Sequence, residues 1–72
     1  MQEKQDQFPE RLQRMRERRR ISRKTASELC GLHSDAFRRY ERREAKPDME
    51  SLIAISDYFE CSIDWLLGRT NY

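Results

Sequence analysis

Residues 23 to 42 read RKTASELCGLHSDAFRRYER, and the pattern in this stretch decides the fold. Ser22, just ahead of it, is a good helix N-cap because its hydroxyl can accept from first-turn amides, with Thr25 standing where a capping box has its ideal Glu. Ala26, Leu29 and Cys30 then give a short helix one apolar face. Gly31 ends that helix, as a glycine just past a last turn commonly does. After only Gly31, Leu32 and His33 another helix begins at about Ser34, with Ala36, Phe37 and Tyr40 facing inward and Asp35, Arg38, Arg39 and Arg42 facing out. Two helices joined by so tight a turn must cross steeply.

Working outward, Phe8, Leu12 and Met15 form one apolar stripe on a first helix from about residue 9 to 19, with Pro9 in its first turn and its arginines pointing elsewhere. Beyond the central stretch, residues 43 to 46 are polar and Pro47 breaks the chain. Asp48 caps a fourth helix whose inner side is Met49, Leu52, Ile55, Ser56 and Phe59. Ser62 caps a short fifth helix with Ile63, Trp65, Leu66 and Leu67, and Gly68 terminates it. The spacing thus predicts a flexible tail over residues 1–7 and one all-α domain of five short helices over 8–70. The absence of Val and the presence of only two Gly and two Pro in 72 residues agree with helices rather than strands.

Charge is segregated along the chain. Residues 8 to 46 carry 13 basic and 6 acidic side chains, a net of +7, whereas the rest of the chain carries a net of −5. Twelve of the fifteen basic residues are Arg, whose planar fork suits phosphates and guanine edges. No apolar run is long enough to cross a membrane, and no signal-peptide core is present, so the expectation is a soluble cytoplasmic protein. Cys30 and Cys61 lack a CxxC pairing and His33 is the only His, which leaves no four-ligand zinc site and points to buried or half-buried free thiols. A single His, no glycine-rich phosphate loop and a core too small for a substrate pocket argue against an enzyme. No cofactor and no small-molecule substrate are expected.

From Arg23 to Arg42 the chain resembles the helix-turn-helix of the phage Cro and lambda-type repressor family, the xenobiotic response element family of transcriptional regulators. The resemblance covers about residues 8 to 70. It rests on Arg11, Leu12, Met15 and Arg16 in the first helix, Ile21-Ser22, Gly31-Leu32 at the turn, Phe37 and Tyr40-Glu41, then Lys46-Pro47-Asp48, Leu52 and the closing run from Asp64 to Thr70. It implies a compact five-helix bundle, a lambda repressor-like DNA-binding domain, acting mostly as a repressor that binds palindromic operators as a homodimer. The chain departs from the family pattern at Arg23 (usually Gln), Ala26 (usually a larger aliphatic), Ser27 (usually Ala) and Arg43 (usually Gly). Ala26 and Ser27 are expected only to thin the packing, while Arg43 implies either a strained turn or a third helix that runs on.

With the third helix in the major groove, Ser34, Asp35, Arg38 and Arg39 are the base-reading candidates. Arg38 or Arg39 can fork onto guanine O6 and N7, Asp35 can accept from cytosine N4, and Ser34 can serve either way. The resemblance places phosphate contacts at Arg23 and Lys24, shared with Arg42, Arg43 and Lys46, and His33 is a further backbone candidate. It also pairs Arg16 with Glu41 in a structural salt bridge between the first and third helices. Trp65, too crowded to turn inward beside Ile63, Leu66 and Leu67, is the candidate dimer contact. Double-stranded DNA is the expected partner. Two other readings stay open, an antitoxin that uses the same DNA surface and a protein-interaction adaptor that kept the bundle.

Overall fold

The computed structural model describes residues 7 to 71, which form five helices: α1 (Gln7–Arg18), α2 (Arg23–Leu29), α3 (Ala36–Glu41), α4 (Met49–Phe59) and α5 (Ile63–Leu66). The all-α architecture and the element order are those expected. Of the tail expected over residues 1–7, residues 1–6 lie outside the described residues, and Gln7 already belongs to α1.

All three N-cap assignments stand. The hydroxyls of Ser22 and Ser62 and the carboxylate of Asp48 accept from Thr25, Trp65 and Ser51 amides respectively. The third helix begins later than the sequence suggests, at Ala36 rather than Ser34. His33 organises the turn before it, its carbonyl accepting from Ala36 N at 2.9 Å and its Nδ1 from Asp35 N at 3.1 Å. Asp35 is the N-cap residue, its amide spent on this turn and its carbonyl accepting the first helical bond of α3 from Arg39 N at 3.1 Å.

Inside, Leu12, Phe37, Ile55 and Leu66 are sealed from solvent, with Phe8, Met15, Ala26, Tyr40 and Phe59 around them. Phe8 meets Tyr40 edge-on at 5.9 Å between centroids, and Phe37 lies against Phe59 at 6.2 Å. The α1 stripe, the inner face of α3 and the middle of α4 therefore share one interior, where each buried Leu or Phe is worth roughly 1.5–3 kcal/mol.

Two residues assigned to inner faces lie outside. Leu29 is 48% exposed and Met49 is 75% exposed. Leu29 is the last residue of α2, on the rim of a stripe already filled by Ala26 and Cys30. Met49 is the first residue of α4, one turn beyond the reach of the interior. The reverse happens at Arg11, which lies between Phe8 and Met15 on the α1 stripe and is only 8% exposed, so not all of that helix's arginines point away.

All five described helices end in the same device, a residue in the left-handed region followed by a backbone bond reaching back across the last turn. At α3 the amides of Arg43 and Glu44 bond the carbonyls of Tyr40 and Arg39 at 3.1 and 2.8 Å, and Arg43 has φ 64°. The helix stops at Arg43 and does not run on. Gly31 and Gly68 fill the same position after α2 and α5, whereas Arg20 and Glu60 fill it after α1 and α4. A side chain there costs roughly 1–2 kcal/mol.

Candidate nucleic-acid interface

Ser27, a residue assigned above to thinner packing, positions α3. Its fully buried hydroxyl donates to the Arg23 carbonyl at 2.8 Å and accepts from Phe37 N at 2.9 Å. Phe37 N is a first-turn amide of α3, one of the donors that a helix leaves without an internal partner. The cap of α3 therefore comes from α2, and the two helices are fastened where they cross. A serine where the family has alanine was the available signal.

A buried ion network holds the other end of α3. The Glu41 carboxylate, 1% exposed, accepts from Arg16 Nε at 2.8 Å and Nη2 at 3.1 Å, and from Arg23 Nε at 2.9 Å. Arg16 Nη1 also donates to the Ile21 carbonyl at 3.0 Å. The expected Arg16–Glu41 bridge is present, and Arg23 is its unforeseen third member. Arg23 commits only its Nε there, and its side chain is 42% exposed.

With α3 fixed at both ends, its outer side carries Asp35 and Arg38, half-exposed, and Arg39, exposed, with Ser34 half-buried in the turn before it. Asp35 and Arg38 form a two-pronged pair, Nε to Oδ1 at 2.6 Å and Nη2 to Oδ2 at 2.7 Å. That hydrogen bond, with the positive charges of Arg38 and Arg39 around it, holds the Asp35 carboxyl below its usual range, and Asp35 in turn raises Arg38. Asp35 stays ionised at neutral pH, with both oxygens engaged by a neighbour on its own helix.

The phosphate candidates fall into two groups. Arg42 pairs with Glu44 at 2.9 Å and Arg43 with Glu10 at 3.3 Å, all on the surface. Lys24, Arg39 and Lys46 make no side-chain hydrogen bond or ion pair among the described residues. Arg39, Lys46 and His33 line a groove of about 270 Å³ between α3 and the start of α4.

Trp65 is half-buried against the core, beside an open hollow of about 620 Å³ that also reaches Met15 and Phe59. Arg11 accounts for its setting. The guanidinium lies 4.8 Å from the Trp65 ring centroid and Nη1 donates to the carbonyls of Trp65 and Thr70, each at 2.8 Å. Arg11 thus fastens α5 and the chain after it to α1, a role the sequence reading missed. Cys30 is buried and Cys61 half-buried, both as free thiols, and burial pushes the Cys30 thiol up to about 11. Among the described residues no helix is long and apolar enough to cross a membrane, and no cluster of three His, Cys, Asp or Glu side chains could hold a metal.

Two helices crossing at a tight turn, the second capped by the first and presenting arginines outward, define a helix-turn-helix domain. The helix-turn-helix family model matches residues 12–66, and the chain belongs to that family, as the resemblance to Cro and lambda-type repressors implied. It is similar to the cryptic phage CTXphi transcriptional repressor RstR of Vibrio cholerae, 35% identical over 60 residues that cover 79% of this chain and 54% of the relative. It is also similar to repressor protein C2 of Salmonella phage P22, 33% identical over 58 residues, 81% of this chain and 27% of the relative. Among solved structures, the P22 c2 repressor crystallised with a synthetic operator superposes with a TM-score of 0.80 at 30% identity, over 88% of this chain and 96% of that one. The chain spans about half the length of the first relatives it matches, at 54%, 56% and 57%.

Proposed function

We propose that residues 8–70 form a sequence-specific double-stranded DNA-binding domain of a transcriptional repressor, with α3 entering the major groove of a palindromic operator. The observation that carries this reading is the outer face of α3, where Arg38 and Arg39 stand on a helix immobilised at both ends by Ser27 and Glu41. Its likeness to a repressor crystallised on an operator supports the same assignment. Ser34, Asp35, Arg38 and Arg39 make up the base-facing set. Lys24, His33, Arg42, Arg43, Lys46 and the free end of Arg23 contact phosphates. Arg42 and Arg43 exchange their surface carboxylates for phosphate at little cost, since exposed pairs are weak. The domain works in the cytoplasm without cofactor or catalytic step.

It binds as a homodimer, since one module has too few base contacts to find one site in a genome and a palindrome doubles them. Trp65 and α5 supply the contact. The test is selection from a pool of random duplexes followed by titration across salt. The expected result is an enriched palindrome and affinity that falls steeply with salt, roughly −0.9 in the slope of log K against log salt per phosphate neutralised. No enrichment together with a slope near zero would overturn the reading.

A further inference from the structure

Asp35 occupies the N-cap position of α3, yet its carboxylate makes no capping bond. An aspartate there ordinarily accepts from a first-turn amide. Here the Phe37 amide is taken by Ser27 of α2, so the carboxylate is released from that duty and both its oxygens hold Arg38. The atoms it holds matter. A guanidinium has five N–H donors, and Asp35 takes the one on Nε and one on Nη2. Left over are the second hydrogen of Nη2 and both on Nη1, including the parallel end-on pair that matches guanine O6 and N7. A long, freely rotating side chain thereby becomes a fixed fork on the exposed side of α3. Arg39, next to it, has no such partner among the described residues.

We infer that Asp35 is a positioning residue for specificity: it touches no base, but holds Arg38 so that the pair reads one guanine in each half-site as a unit. This rests on the DNA-binding reading above and replaces, for Asp35, direct acceptance from cytosine N4. The pairing also neutralises a carboxylate that would otherwise face the phosphates.

The experiment is site selection from random duplexes for the wild type and for Asp35→Ala, Asp35→Asn, Arg38→Ala and Asp35→Ala/Arg38→Ala, with affinities measured on the selected site and on an unrelated duplex. Circular dichroism should show unchanged helix content, since the Asp35 carboxylate caps nothing. The wild type should select a guanine that Arg38→Ala no longer selects. Asp35→Ala should lower discrimination at that same base pair about tenfold while affinity for the unrelated duplex holds or rises, because a negative charge has gone. The double variant should discriminate no worse than Arg38→Ala alone, and Asp35→Asn should fall between Asp35→Ala and the wild type. If Asp35→Ala instead changes preference at a different base pair, or weakens all duplexes equally, the inference is overturned while the DNA-binding reading stands. A wild type that selects no sequence overturns both.

Discussion

The protein holds two arginine–carboxylate forks of nearly the same geometry at two depths. Arg16 grips Glu41 inside the bundle, where the carboxylate is 1% exposed, and Arg38 grips Asp35 on the outer side of α3, where it is 38% exposed. Depth decides what each fork does. Inside, the charge has left water and survives only because Arg16 and Arg23 both answer it, so the pair ties α1, α2 and α3 into one arrangement. Outside, water screens the pair, its loss means little to the fold, and the unused donors remain open to a partner.

Removal of Glu41 probes the inner fork hardest. Glu41→Ala leaves two arginines facing a buried gap and should lower unfolding free energy by about 3–5 kcal/mol in a urea titration. A loss under about 1 kcal/mol would mean the network is decorative. Next comes Ser27→Ala, which restores the family's residue but leaves the Phe37 amide buried without an acceptor. The expected loss is about 1–3 kcal/mol by the same titration, with faster hydrogen exchange at Phe37 as its mark. Glu60→Gly should go the other way, gaining about 0.5–1 kcal/mol by relieving the left-handed backbone after α4. Smallest of all is Asp35→Ala, for which the thermal midpoint should not move. If it falls as far as for Ser27→Ala, the outer fork is structural and the contrast between the two fails.

The bundle was legible because its signals are local. Apolar periodicity set the helices, and Ser22, Asp48 and Ser62 announced three starts by their own side chains. The start of α3 was misplaced because its cap is supplied from another helix, and no scan along the chain sees that Ser27 will stand against Phe37. Arg11 could have been found, since it sits at stripe spacing between Phe8 and Met15, but charge outweighed position in the reading. Leu29 and Met49 failed for the opposite reason. Periodicity gives a direction and not a distance, and the ends of short helices point inward at a place the core does not reach. The candidate interface residues were legible as a set, from charge and the turn. Which of them share a partner, as Asp35 and Arg38 or Arg23 and Glu41 do, depends on side-chain geometry that only the folded chain fixes.

On the proposed function, depth sorts the arginines: those outside on α3 meet DNA and those inside hold the fold. The most direct measurement is an NMR titration that follows arginine side-chain Nε–H resonances as a selected duplex is added. Arg38 and Arg39 should shift and broaden in proportion to bound duplex, while Arg11 and Arg16 stay in place. Shifts at Arg11 and Arg16 with Arg38 and Arg39 unmoved would contradict the account.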